Sequence, residues 1–504
     1  MSRLEHGKVG KNPAAFIEKG KAAKKKAALG QVSNRFDYMY GPWEEGDKLP
    51  ETSQTIEALR ELSESMKDDD DVKLEGVIPA GYTYFGQFVD HDLTFDATSS
   101  SIEKMENGNF SVLPDLSHLT NGRTAQAELD SVYFLGVPRN QDNKNKLRVG
   151  RVASVDNTQK ASLRPTGKSD FNDLPRQKRH DDPHEDRAAI IGDARNDENT
   201  IVAQLHTAFL KAHNTLVDRG KNFDQARDEI ILRYQSIILH DFAAKICDPI
   251  IHNDVIKNGP RWSVTDPSAL FMPVEFAFAA YRFGHSMVRT NYDFNLNFNL
   301  SEIPASLELL FVFSAISGDL GDFDTLPENW IIEWEKILPL KDSSPQKAHR
   351  IDTLLTRFLF DIRKVDGTKE KGDLAPFLAK RNLFRGYLVG LPTGQAVAKR
   401  LGIQPLQGDK LLSCVPIKIQ NALRSNPQLL ETTPLWFYIL AEAGDPNGPD
   451  GKHLGSVGSR IVMDTFFNMI KNAEVSLLNV KNPQDYRTTL PEILELAAEQ
   501  DEIR

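Results

Sequence analysis

Residues 81–96 read GYTYFGQFVDHDLTFD, and the rest of the chain can be read outward from them. Gln87, Asp90, His91 and Asp92 sit among Phe85, Phe88, Val89, Leu93 and Phe95. On a helix Gln87 and His91, four apart, share a face. Asp90 and Asp92 leave that face to either side. Apolar residues all round predict a buried element, and carboxylates are rarely buried without a partner. Two of them beside a histidine call for a cation, a covalent bond or a cofactor. A lone histidine here would be an ordinary core residue. The cluster is singled out because other stretches answer it.

A chain of 504 residues has room for one large domain or about three average ones. Hydrophobic content of 40% with 26% charged residues fits a globular protein. The formal charge of −10 gives no case for general nucleic-acid binding. Two cysteines, Cys247 and Cys414, make no disulfide framework. The first thirty or so residues are basic, with Lys24–Lys26 at their centre, and lack the apolar core of a secretory leader. No run of 18 apolar residues predicts a membrane span. Asp68–Asp71 is a solvated acidic run before the core. Helical periodicity runs through Ile201–Asp218, with Gly220 as its stop, and through Asp224–Cys247, Pro273–Val288, Asp352–Ile362 and Leu435–Ala443. Tyr292–Leu300 reads as a short extended piece. The expected fold is mainly α with little β and long loops, and such loops are usually functional. The boundaries read as an N-terminal extension (1–75), a main domain (76–470) and a C-terminal helical tail (471–504) packed on it.

Four further stretches carry chemistry. In NGRTAQAELDSVY (Asn121–Tyr133), Thr124, Gln126, Glu128 and Asp130 alternate and could aim oxygens at one hard cation; spacing alone equally suits a polar loop. IGDARNDEN (Ile191–Asn199) puts Arg195 amid acid just before a helix. EFAFAAYRFGHSMV (Glu275–Val288) sets His285 in an apolar, buried segment. RNLFRGYLVGLP (Arg381–Pro392) adds Asn382 and Arg385. His206 and His213, two turns apart, read as structural.

QFVDHD, GDARNDEN and RFGH, followed by RNLFRGYLVGLP and HLGSVGSRIVMD (His453–Asp464), resemble the animal haem peroxidase (peroxidase–cyclooxygenase) superfamily in order and offset, from about Val77 to Asp464. The resemblance implies haem b held between a distal and a proximal helix. His91 would be the distal base, Arg195 the distal charge stabiliser and Gln87 a halide-site residue that orders water. His285 would be the axial iron ligand, with Asn382 accepting its Nδ1 hydrogen and Arg282 and Arg385 pairing haem propionates. Asp90 and Glu198 match the carboxylates that esterify haem in several members. Asn199 stands where one branch has the Met of a sulfonium link, so that link is excluded. Calcium ligands carry over to Asp92, Thr124 (hydroxyl and carbonyl), the Gln126 carbonyl, Glu128 and Asp130. Glu128 departs from the usual Asp, and Tyr387–Val389 replaces the RDH of animal members.

The implied activity is peroxidase: hydrogen peroxide as oxidant, with small organic donors, and halide as a further substrate. A fatty-acid dioxygenase of the same superfamily is the alternative. Its radical tyrosine would stand three residues before the proximal histidine, where this chain has Arg282; Tyr281 lies about 100° further round an ideal helix. A haem-retaining protein of adhesion or assembly is the reading from another class. The few cysteines and missing leader suggest a bacterial-type member, cytoplasmic or exported without a leader. Donor, halide preference and oligomeric state are not encoded in these motifs.

Overall fold

The structure is a computed structural model that describes residues 34–69, 74–96, 109–155, 170–182, 185–360 and 377–502. The Lys24–Lys26 arm and the Asp70–Asp71 half of the acidic run lie outside those residues. The first long helix is α1 (Ser53–Ser65), which begins where Thr52 accepts a hydrogen bond from Thr55 N. It packs on the later helix Leu378–Leu388. Residues 34–69, within the segment read as an extension, are tied into the core by bonds far along the chain. Met39 N and Trp43 Nε1 both donate to the buried carboxylate of Glu275. The Tyr38 hydroxyl donates to Val389 and Gly390 carbonyls.

The decisive stretch folds as α2 (Gly81–Leu93) and is mostly buried. Phe88 stacks on Phe209 at 5.0 Å, and Phe85 meets Phe242 edge-on at 5.4 Å. These rings come from α3 (Thr200–Asp218) and from the segment after α4 (Phe223–Ser236). Residues Thr200–Val217 of α3 are all buried. A helix apolar or buried on every side is a core helix, and α2 lies along it. Asn199 caps α3 by accepting from Val202 N. After α4 the chain widens into a π-helical turn (Ile237–Phe242) before Ala243–Ile246. Such turns frequently sit at functional sites.

Three expected elements differ. Pro273–Val288 is not one helix. It is a short α turn (Val274–Ala277) followed by a 3₁₀ run (Ala280–Met287), with the break at Ala279 (φ −135°, ψ −76°). Apolar periodicity alone does not distinguish the two helix types, since both bury a stripe. Asp352–Ile362 is helical only over Arg357–Phe360, and residues 361–362 lie outside the described set. The extended piece shrinks to Asn291–Tyr292, paired antiparallel with Ala305–Ser306. Two other small ladders complete the β structure among the described residues: Phe36–Asp37 with Met272–Pro273, and Glu75–Pro79 with Lys347–His349.

Later helices that frame the site are α5 (Leu378–Leu388), α6 (Leu435–Ala443), α7 (Ser456–Lys471) and α8 (Leu490–Glu502). α8 lies against α3, where the Thr215 hydroxyl donates to the Leu496 carbonyl at 2.9 Å and Lys211 pairs with Asp501. α7 supports the segment that carries His285: Phe466 meets Phe276 and Tyr281 edge-on at 5.8 and 5.5 Å.

The start of α7 is satisfied from α6. The buried Glu442 carboxylate accepts from Val457 N (3.1 Å) and Gly458 N (3.3 Å), orphan donors of the first turn. It can do so because position 455 is glycine: a Cβ there would stand 2.2 Å from Glu442 Cγ. Burial outweighs the backbone donors and pushes the Glu442 carboxyl up to about 7. A raised folded-state value means stability contributed in full below about pH 4.5 and lost as pH rises toward 7. Glu442→Gln should therefore gain on the unaltered chain across that window. Urea unfolding from pH 4.5 to 8 measures this, and a pH-independent difference between the two proteins would sink the assignment.

Candidate active site

A cavity of about 950 Å³, counting its open mouth, lies between α2 and the 280–288 segment. Its lining includes Gln87, Asp90, His91, Arg195, Glu198, Arg282 and His285. One cavity thus collects residues from three stretches that are far apart in sequence.

On the α2 side, His91 Nδ1 lies 2.8 Å from Asn196 Oδ1. An amide oxygen can only accept, so Nδ1 carries the hydrogen and Nε2 keeps its lone pair. Nε2 stands 3.7 Å from Glu198 Oε1. Gln87 donates its amide to the same Glu198 oxygen and accepts from Asn199 Nδ2 at 3.1 Å. Asn199, where a sulfonium-forming Met was excluded, is therefore both the α3 cap and a support for Gln87. Asp90 accepts from the Thr94 hydroxyl at 2.7 Å.

Arg195 reaches the cavity from the 3₁₀ turn Ala194–Asp197. Its Nε and Nη2 bond Asp193, and Nη2 also donates to the carbonyls of His91 (3.0 Å) and Thr94 (2.8 Å). Among the described residues Nη1 has no partner. Burial lowers Arg195 to about 10, against the opposing fields of Asp90 and Glu198, so the group is still a cation at neutral pH. Asp193 is fully buried and also binds the buried guanidinium of Arg123.

On the other side, His285 Nδ1 lies 3.0 Å from Asn382 Nδ2. The expectation had the asparagine accepting here, whereas in this orientation it donates. A half-turn of the amide exchanges two groups of nearly equal size and restores the acceptor. Arg282 donates Nε to the Ala277 carbonyl and makes no ion pair among the described residues. Burial lowers its pKa, which Asp90 offsets in part. Arg385, expected at a propionate, instead pairs with Asp96 and lies over the Phe278 ring; it does not line the cavity. Tyr281 does line it, with its hydroxyl buried and unpartnered. Tyr281 and Arg282 thus both reach the wall, although successive residues of a 3₁₀ run diverge by about 120°.

These features fit a flat, dianionic prosthetic group. Arg282 is a half-buried cation with no ion pair among the described residues. A Cβ at Gly284, next to His285, would meet nothing within 4 Å, so the wall is open beside the expected axial ligand. The hydroxyls of Thr83 and Tyr281, both on the wall, lack partners.

The loop expected to hold calcium is brought to α2: Leu129 N donates to Asp92 at 3.1 Å, and Tyr234 donates to the same oxygen at 3.2 Å. The hydroxyl of Thr124 is buried and unpartnered. Two expected ligands point elsewhere. The carboxylate of Glu128 accepts from Glu474 N at 2.9 Å, and the Gln126 carbonyl accepts from Glu128 N at 3.0 Å. The extra methylene of Glu128 is what reaches the 474 backbone. Arg123 lies in the field of both Asp92 and Asp130. Among the described residues no three His, Cys, Asp or Glu side chains converge as metal ligands do. Where a cation is expected, the structure places the buried guanidinium of Arg123.

His213 is remote from these groups in its bonding. It contacts the Tyr133 hydroxyl (3.0 Å) and the Asn145 carbonyl (2.9 Å), and burial lowers it to about 4. His206 is different: its Nδ1 lies 3.0 Å from Asn196 Nδ2. Sequence reading passed over Asn196, Asp193 and Arg123. The available signal was only that Asp193 and Asn196 bracket Arg195.

The family description "Animal haem peroxidase" matches residues 139–407. A peroxidase-like protein of Margaritifera margaritifera is 27% identical over 252 residues, 42% of this chain and 32% of that protein. Peroxinectin A of Dictyostelium discoideum is 24% identical over 293 residues, 56% of this chain and 49% of that one. The chain thus matches half or less of the length of these relatives. Among solved structures, Peroxidase A from Dictyostelium discoideum gives a TM-score of 0.60 at 16% identity, over 92% of this chain and 93% of that one. The fatty acid alpha-dioxygenase of Arabidopsis thaliana gives 0.54 at 12% identity, over 96% and 86%. At such identities the likeness is one of fold. No helix among the described residues is long and apolar enough to cross a membrane. The family match, by contrast, covers more than half of the sequence and takes in Arg195, His285 and Asn382, so the chain belongs to the animal haem peroxidase family.

Proposed function

We propose that this protein is a haem peroxidase that reduces hydrogen peroxide and oxidises small organic donors, with halide oxidation as a second activity. The observation that carries the reading is one cavity lined by an imidazole with a lone pair at Nε2, an adjoining guanidinium, and a second imidazole from the 280–287 segment. The family match begins after α2, so the role of His91 rests on this geometry.

His285 would hold the haem, which would supply the electrons for peroxide reduction. His91 Nε2 takes a proton from hydrogen peroxide and returns it to the departing oxygen. Arg195, fixed by Asp193 and two carbonyls, stabilises the charge that builds as the O–O bond breaks. Gln87, held between Glu198 and Asn199, orders the water or halide beside them. Arg282 neutralises a propionate. Arg385 supports Asp96 instead.

A dioxygenase reading draws on one observation, the buried Tyr281 hydroxyl on a wall that also carries Leu307, Phe311 and Leu359. Arg282 at the position three before His285 favours the peroxidase.

His285→Ala should lose most of its haem, read as the Soret band. His91→Ala and Arg195→Ala should keep haem and lose ~10²–10⁴-fold in peroxide-dependent oxidation of a phenolic donor. Fast oxygen uptake with unsaturated fatty acids that vanishes in Tyr281→Phe, with negligible donor oxidation, would replace the peroxidase by the dioxygenase.

Asp90 and Glu198 both line the cavity, and we propose that peroxide treatment esterifies the haem through them. Acid–organic extraction and mass spectrometry should then find haem retained on the chain, with no sulfonium species. Haem that stays freely extractable counts against the esters.

Arg123 is proposed to do the work of a calcium ion. Arg123→Leu would leave the buried Asp193 with Arg195 as its remaining cation, so the loss should fall below the roughly 3–5 kcal/mol of a fully broken buried pair. Unfolding by urea measures that loss. Chelator alone should leave the melting temperature of the unaltered chain in place, and a chelator-sensitive melt would restore the calcium.

A further inference from the structure

Behind His91 lies a relay of three buried side chains. His91 Nδ1 bonds Asn196 Oδ1 at 2.8 Å, and Asn196 Nδ2 bonds His206 Nδ1 at 3.0 Å. Asn196 is fully buried and His206 is 1% exposed, so water cannot substitute for either partner. Asn196 stands next to Arg195 on the 3₁₀ turn, where successive side chains diverge by about 120°. Arg195 takes the carbonyl end of α2, and Asn196 takes the back of the imidazole ring.

The amide has two orientations with opposite consequences. With the oxygen toward His91, Nδ1 must carry the hydrogen and Nε2 is a base. With the nitrogen toward His91, Nδ1 must accept, and the hydrogen moves to Nε2, the atom that faces the cavity. In that state the imidazole cannot accept a proton from peroxide. His91 alone does not choose between the two. The structure has Nδ2 toward His206, an orientation that gives His206 Nδ1 the accepting lone pair and turns the oxygen toward His91. His206 itself packs edge-on against Phe88 of α2 at 6.1 Å, next to the helix whose histidine it controls.

We propose that Asn196 and His206 are positioning residues which hold His91 in the tautomer with its lone pair at Nε2. This rests on the peroxidase reading only for its consequence in turnover. The tautomer can be read separately, because hydrogen cyanide must give its proton to a base as it binds haem iron.

The test uses the haem-loaded full chain and two rates across pH 4–9: cyanide association, and the Soret change on adding hydrogen peroxide. Asn196→Leu should slow both by about 10–100-fold, the usual effect of removing a partner that orients a ligand or base. His206→Leu should slow both less, since the amide can then populate either orientation. Asn196→Asp is nearly isosteric and can only accept. It should restore both rates in the His206→Leu background and move the acid limb of the profile up by about one unit or more, because an anion now faces the imidazole. Asn196→Asp and the double variant carry the test if Asn196→Leu fails to retain haem. Rates and limb unchanged within twofold in Asn196→Leu, or in Asn196→Asp and His206→Leu, would overturn the proposal. Normal cyanide association with negligible donor oxidation in the unaltered chain would instead count against the peroxidase reading and leave the relay standing.

Discussion

The site depends on buried charge held in a short turn. Asp193 and Asp197 flank Arg195 and Asn196, and each carboxylate is locked by a buried guanidinium: Asp193 by Arg123, Asp197 by Arg176. Arg176 also binds Asp173 through two nitrogens at 2.7 and 2.8 Å. Burying an unpaired carboxylate is prohibitive, and a buried pair roughly balances its own desolvation. Such pairs therefore add little net stability, but they penalise any other arrangement strongly. Four residues too short to hold a conformation by themselves are thereby fixed against α2 and α3. Arg195 can stay charged in a buried place because its carboxylate and carbonyl acceptors are already set.

The same logic separates the two walls. The α2 wall is polar and rigid: each of His91, Gln87 and Arg195 has a partner that is itself held by a further bond. The 280–288 wall is held by rings. Phe276, Tyr281, Phe283 and Phe466 pack within 6 Å of one another in a chain of contacts, and Trp436 Nε1 donates to the Arg282 carbonyl at 3.2 Å. Proton movement needs fixed donors and acceptors on one side. Holding a flat apolar group needs shape on the other.

Much of the fold was legible because long buried helices advertise themselves. α2, α3 and α6 follow from apolar periodicity, with Gly220 as the stop after α3. The fold class and the motifs followed from residue order. The 3₁₀ character of 280–287 was not legible, since the same ring-and-alanine pattern suits either helix. Arg385 was misplaced for a different reason: sequence offset assigns a position, but the nearby Asp96 claimed the guanidinium. Arg123 was invisible because a cation beside predicted cation ligands reads as a contradiction until its carboxylate, Asp193, is seen.

Asn196 shows how far spacing can reach. An asparagine one residue after a functional arginine looks like part of a polar run, and on an α-helix it would point away from the site. In a 3₁₀ turn between two anchored carboxylates it has one place to go, the space between two imidazoles. An amide there is not a neutral filler. It has one accepting end and one donating end, so it converts the protonation pattern of His206 into that of His91. A serine or a water in the same space could rotate its hydrogen and would leave the tautomer of His91 to chance. The chemistry of the cavity is thus set partly by a residue that does not line it.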